Sequence, residues 1–422
     1  MRIVKYPGGA FERWSERLEK GRAGDDRKIR RTVEKLVGEV RREGDAAVSR
    51  HLASLDQVRI DPEEIRISAK MAPIADPIRR AIDQAIEQVQ AFHRRQAIDG
   101  FEIQSEGVSL RHRVRPLSRV GIYVPGGRAV YLSTLIMCAI PARIAGVKEL
   151  AVATTPSAAA HPELLYTASL LGVTDIYRAG GASGIAALAY GTESLPRVDK
   201  IVGPGNAYVT AAKHLVSGDV GIDMTAGPSE VIVIADADSS PELVAADMLA
   251  QAEHGEDSSA ICVTTSRAFA GRLSDEVDRQ LASLPEGSAA GRSIKTKGVI
   301  FFAKGDADVA ELVNRIGPEH VSIQTGQAFD PDLIENCGAL YVGRYAAVAL
   351  GDYVIGPNHV LPTAGSARYS SPLGVYDFVK RSNVIRVEEA GYRRLAESAE
   401  ILARFEGLPM HARSVVVRGD AE

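Results

Sequence analysis

Four places along the chain bring together side chains that bind metal ions or move protons. Gln251 and His254 stand three apart at the end of a stretch that reads as a helix, so they share a face and can grip one ion. Glu319 and His320 are adjacent, just after Ile316-Gly317-Pro318. An imidazole titrates near neutral pH and suits a general base, and a neighbouring carboxylate can orient water or tune it. Asp352, in Gly351-Asp-Tyr353, is a hard oxygen donor, with Asn358-His359 across a Gly-Pro turn. Glu406 and His411 lie together near the C-terminus in Phe405-Glu-Gly-Leu-Pro-Met-His411. Gln, His, Asp and His donors from distant places suit Zn²⁺ or a neighbouring divalent ion. Taken singly, each piece also fits a polar helix end or surface decoration, and composition does not say that they converge.

The elements that would carry these residues are legible from periodicity. Ser240-Pro241 reads as a capped helix start, with Val244, Met248 and Gln251 at helical spacing and Gly255 as the stop. Residues 24–53 and 76–98 read as amphipathic helices, with a break and restart at Gly44, and His93 reads as a partly exposed histidine. From Val120 the chain alternates short apolar strands (120–124, 150–154, 175–178, 200–202) with helices (132–145, 161–171, 185–190, 207–217). A second such run has strands at 231–235, 260–264, 299–302 and 340–342. This alternation predicts parallel β/α units in open sheets, whose ligands bind beyond the carboxyl ends of the strands. Three strands of the first run lead into glycine turns, Gly126-Gly127, Gly180-Gly-Ala-Ser-Gly184 and Gly203-Pro-Gly-Asn206. Such turns let backbone approach a ligand and leave helix N–H groups for phosphate, although each alone is also an ordinary tight turn. No G-x-G-x-x-G occurs. Residues 109–114 alternate like a strand, 392–405 reads as a helix, and Ser414-Val-Val-Val-Arg418 reads as a closing strand.

With 422 residues the chain is long enough for two or three domains. A net charge of −4 gives no reason to expect nucleic acid or an anionic membrane as partner, and no apolar run is long enough to span a bilayer. Cys138, Cys262 and Cys337 are odd in number and far apart, and the first two sit in apolar segments. They read as inert thiols in a reducing compartment, the cytoplasm.

Six strings in order, Val120–Gly127, Gly203-Pro-Gly-Asn-Ala-Tyr-Val209, Ala226-Gly-Pro-Ser-Glu230, Gln251-Ala-Glu-His-Gly255, Pro318-Glu-His320 and Gly356–Thr363, resemble the histidinol dehydrogenase family. The resemblance implies a zinc-dependent enzyme that uses two NAD to oxidise L-histidinol through L-histidinal to L-histidine. It implies one Zn²⁺ per subunit on Gln251, His254, Asp352 and His411, and a catalytic pair in Glu319 and His320. Substrate contacts fall on Ser229, His320, Glu406 and the zinc ligands. NAD contacts fall on Tyr123 and Asn206, and on Ser183 where that family carries glutamine. It also implies a homodimer in which Glu406 and His411 complete the partner's site.

The expected fold is α/β, with two open, mainly parallel Rossmann-like domains lacking G-x-G-x-x-G, N-terminal helices and a small C-terminal segment. The expected boundaries are an N-terminal extension over 1–24, a discontinuous first domain over 25–120 with 230–372, an inserted NAD-binding-like domain over 121–229, and a C-terminal helix and tail over 373–422 reaching the partner. Further departures from the family strings are Ala346-Ala-Val-Ala349 and Gly317 before Pro318. Two other readings remain: a relative oxidising another small polar alcohol, and a zinc- and nucleotide-binding protein without catalysis.

Overall fold

The computed structural model describes residues 1–22, 27–127, 129–224, 227–327 and 329–419. The expected helix start at 24 and Ala226 of the third string lie outside the described residues. Two compact units form, one from Met1–Gln96 with Leu117–Phe378 and one from Ala97–Pro116 with Val379–Glu422.

The larger unit holds two six-stranded sheets. In the first, Arg2–Lys5, Val299–Phe302, Ser259–Thr264, Glu230–Ala235, His320–Ile323 and Ala339–Val342 lie side by side, all parallel. Glu230–Ala235 and Ser259–Thr264 are buried along their whole length, which explains why they read as unbroken apolar runs: helices cover both faces. The second sheet runs Arg66–Ser68, Asp175–Arg178, Glu149–Thr154, Arg119–Val124, Lys200–Val202 and Gly221–Ile222. It is parallel except for the antiparallel edge strand Arg66–Ser68. The α/β expectation of two mainly parallel sheets therefore holds. Sheet membership does not follow the expected boundaries, however. Arg2–Lys5, placed in an N-terminal extension, is an edge strand of the first sheet, and Arg66–Ser68 belongs to the second.

The smaller unit is a three-stranded antiparallel sheet, Val379–Val387, Val108–Pro116 and Phe101–Ser105, with helices Glu389–Phe405 and Pro409–Val416. The strand Val379–Val387 had no counterpart in the periodicity, because its exposed and half-buried residues do not alternate. The expected strand Ser414–Arg418 is instead helical to Val416 and a turn beyond: Pro409 starts the helix, and the Ser414 hydroxyl donates back to the His411 carbonyl at 2.8 Å. Local β propensity yields here to that context.

Three local readings change as well. The helix after Gly180 begins at Gly181, so the glycine-rich stretch is its first turn, anchored by the Gly184 N–H on the Gly180 carbonyl. Ser240 makes no side-chain cap, and the neighbouring Ser239 hydroxyl donates to Asp236 and the Gln324 carbonyl. His93 is fully buried, bonded to Gln96 and Asn358, and so is a core histidine. The break at Gly44 is real: its φ of 53° kinks the helix Arg27–His51.

Candidate active site

The reactive residues gather at the amino ends of the first sheet, opposite to the carboxyl-end placement expected of an open parallel sheet. Glu319 immediately precedes the strand His320–Ile323, and Ser229 precedes Glu230–Ala235. The helix Pro241–Ala252 runs back along the sheet, so its C-terminal end brings Gln251 and His254 to the same edge. A helix C-terminus carries partial negative charge and favours a cation. The second sheet contributes its carboxyl ends: Gly203 follows Lys200–Val202, and Tyr123 lies near the end of Arg119–Val124. Where these edges meet, a cavity of about 120 Å³ is lined by Gly203, Gly205, Ser229, Glu319, His359 and Thr363. A larger groove of about 310 Å³ between Arg2–Lys5 and the helix Gly9–Arg22 is lined by Arg2, Arg13, Trp14 and Arg17, with no acid–base pair.

Glu319 and His320 are both buried. The Glu319 Oε2 accepts the Glu230 N–H at 3.0 Å and faces the Gln251 side-chain amide at 3.5 Å. Burial pushes the Glu319 carboxyl well above the usual carboxylate range. Burial also drives His320 down to about 3, with His254 and His359 adding repulsion. The Glu319–His320 approach of 3.5 Å looks like an ion pair by distance. Both shifts favour the neutral forms, so it is a contact between neutral groups. His320 Nδ1 lies 3.3 Å from the Glu230 carbonyl, which can only accept, so Nδ1 carries the proton. Nε2 is then an acceptor, and it is buried with no hydrogen-bond partner, 3.9 Å from Asp352 Oδ1. An orphaned acceptor is costly in a core and common where a proton is to be received.

The nominated metal donors divide. Gln251 is buried, His254 is exposed, and Asp352 is half-buried with its carboxyl raised by burial and drawn back by the nearby His254. These three share the His320 edge. Glu406 and His411 lie on the smaller unit, both exposed. Among the described residues no group of three or more His, Cys, Asp or Glu side chains forms a metal cage. The donor chemistry still suits zinc: nitrogen and oxygen donors, with a half-buried carboxyl facing an imidazole.

Residues nominated for a dinucleotide lie on the second sheet. Tyr123 is buried, and its hydroxyl accepts the Gly181 N–H at 3.0 Å. Asn206 is exposed, and its side chain caps the helix Ala207–Val216 by accepting from Tyr208 and Val209. Ser183 is buried in the first turn of Gly181–Tyr190. Gly203 has a φ of 113°, and a Cβ there would collide with the Tyr123 carbonyl, so the turn depends on glycine. Below it Lys213 pairs with Asp223 and donates to the Gly203 carbonyl at 2.9 Å. His359 stood out in the sequence only as a neighbour of the Gly-Pro turn. The structure puts it in the cavity wall, Nδ1 on the Asp352 carbonyl at 2.7 Å, and lowered to about 4 by burial.

A parallel α/β scaffold with a buried carboxyl–imidazole pair beside a second parallel sheet defines an α/β protein with an acid–base class of site. Comparison with known proteins sharpens this. Residues 19–419 match the histidinol dehydrogenase family. The chain is 44% identical to a histidinol dehydrogenase of Nitrosomonas europaea over 93% of each chain, and 44% identical to one of Aquifex aeolicus over 92% of each. It superposes on the crystal structure of histidinol dehydrogenase from Elizabethkingia anophelis with a TM-score of 0.90 at 34% identity, covering 100% of this chain and 98% of that one. The chain belongs to the histidinol dehydrogenase family, and it is accordingly an NAD-dependent oxidoreductase.

Proposed function

We propose that this chain oxidises L-histidinol through L-histidinal to L-histidine, reducing two NAD, with one zinc ion per subunit. The observation that carries the reading is the buried, unpartnered Nε2 of His320 beside Glu319. In the first half-reaction His320 Nε2 takes the hydroxyl proton as hydride leaves the carbinol carbon for the nicotinamide. The Glu230 carbonyl, 3.3 Å from Nδ1, accepts the ring's other N–H and steadies the new imidazolium. In the second, Glu319 first releases its own proton to solvent and then, as carboxylate, accepts one from the water that hydrates the aldehyde, and a second hydride transfer gives the acid. A carboxyl whose pKa is raised by burial is the stronger proton acceptor once ionised.

Gln251, His254, Asp352 and His411 would hold the zinc. Bound there, it would supply Lewis acidity and a fixed point for the substrate's amino and imidazole nitrogens. Ser229 and Glu406 complete the substrate contacts, and Tyr123, Ser183 and Asn206 meet NAD. Tyr123 and the Gly181 and Gly203 turns form one surface at the carboxyl ends of the second sheet, which supports that assignment. We place the enzyme in the cytoplasm.

The homodimer finds support in the smaller unit. Ile385, Leu110 and Ile103 lie in register across its three strands and are 66%, 42% and 54% exposed. Phe405 at 89% and Met410 at 70% are also exposed on this unit, apolar side chains that a subunit interface would cover. The deciding experiment measures NAD reduction with L-histidinol before and after chelation and zinc restoration. Turnover that falls with the chelator and returns with zinc is expected, and absence of turnover in zinc-loaded protein refutes the reading.

A further inference from the structure

Ser183 is not an isolated hydroxyl. Its Oγ lies 2.7 Å from His51 Nδ1, and His51 Nε2 lies 2.6 Å from Glu39 Oε2. His51 is the last residue of the helix Arg27–His51, so this helix end meets the first turn of Gly181–Tyr190. Glu39 and His51 are twelve residues apart on one helix, which on a straight helix is about 18 Å of rise. The kink at Gly44 brings them together. It is built for the purpose: Glu193 accepts the Asp45 N–H at 2.9 Å, and Asp45 accepts from the Ser194 N–H and hydroxyl.

The tautomer of His51 with its proton on Nε2, facing Glu39, sets the direction of each hydrogen bond. An ionised Glu39 only accepts, so His51 Nε2 carries a proton. In the neutral ring Nδ1 is then an acceptor, and the Ser183 hydroxyl must donate to it. The serine proton is thereby committed to His51, and its oxygen lone pairs are left for a donor. Two residues away, the Gly181 N–H is held by the Tyr123 hydroxyl, so two bonds clamp this turn from opposite sides.

We propose that His51, oriented by Glu39, is a positioning residue for the dinucleotide site: it clamps the turn at Gly181–Ser183 and presents the Ser183 oxygen as an acceptor to a carboxamide or ribose hydroxyl of NAD. This rests on the reading of the second sheet as the NAD-binding surface. A phosphate oxygen, which only accepts, is the wrong partner for that serine.

The test uses the full zinc-loaded chain and NAD itself. KM for NAD at saturating L-histidinol and Kd for NAD by calorimetry are measured for wild type, Ser183→Ala, Ser183→Thr, His51→Ala and Glu39→Gln. Loss of one such hydrogen bond weakens NAD by about fivefold. That rise is expected in Ser183→Ala and His51→Ala, a smaller one in Glu39→Gln, and recovery in Ser183→Thr, which keeps the hydroxyl. Unchanged NAD affinity in the Ala variants alongside a lowered melting temperature makes the relay purely structural and overturns the proposal, as does a parallel fall in kcat. Wild type that neither binds nor reduces NAD overturns the dinucleotide reading itself, an outcome distinct from an insensitive variant set.

Discussion

At the scale of single residues, burial is the shared cause of the behaviour of Glu319 and His320. Both are held neutral, one shifted up and the other down to about 3, so the pair stores no charge before substrate arrives. The roles proposed for them differ in which half-reaction needs them. His320→Asn removes the acceptor at Nε2 and is expected to lower kcat with L-histidinol by about 10²–10⁴-fold, the usual worth of a general base. Glu319→Gln keeps the bond from the Glu230 N–H and is expected to slow oxidation of added L-histidinal more than that of L-histidinol. Stopped-flow NADH formation from each substrate separates the two, and an equal loss in both half-reactions for both variants refutes the division of labour. This pair was visible in the sequence as Glu-His next to a glycine. The neutral state was not, because it arises from burial of both groups, with His254 and His359, remote in sequence, adding repulsion at His320.

At the scale of elements, the helix that carries Gln251 is tied to the strand that carries His320. Gln324 donates to Asp247 at 2.6 Å, and Ser322 also bonds this carboxyl, which burial raises to about 6. The folded value lies above the usual 3.8, so this group's contribution to stability is complete below about pH 4 and is lost as pH rises through about 6. Asp247→Asn is therefore expected to stabilise the protein by about 1 kcal/mol at pH 8, after allowance for a half-buried site, and not at pH 4.5. Urea unfolding at the two pH values checks it, and an equal effect at both contradicts it. The Gly203 turn hangs on a different tie. Lys213 and Asp223 are 3% and 1% exposed, and Lys213→Met leaves a buried carboxylate unpaired, at an expected cost of about 3–5 kcal/mol. Thermal melts would register it, and an unchanged melting temperature would remove the pair from the turn's support. Most parallel strands could be read from the sequence, because runs such as Val231–Ala235 are buried on both sides; the short Arg2–Lys5, Gly221–Ile222 and His320–Ile323 could not. What could not be read was set by context: the Ser414–Val416 segment turned helical, and Ser240 precedes its helix without a side-chain cap.

At the scale of the whole molecule, the least legible part is the smaller unit. Its sheet joins Val108–Pro116 to Val379–Val387, segments separated by more than half the chain, and no local pattern encodes such a pairing. This unit also carries two of the residues proposed for the site. Glu406 and His411 are exposed, and the strands beside them present Ile103, Leu110 and Ile385 outward. If a second copy covers that face and lends His411 across the interface, a site needs His320 from one subunit and His411 from the other. His320→Asn and His411→Ala are then each nearly inactive alone, and His411→Ala also loses zinc. Mixed after reversible dissociation, they form heterodimers in which one site carries both lesions and the other carries neither. Random pairing makes half the dimers mixed, so activity is expected to return to about a quarter of wild type. Recovery on mixing, followed by NADH formation and by zinc content, places His411 in the partner's site. Two inactive variants that stay inactive after verified subunit exchange would instead confine each site to a single chain.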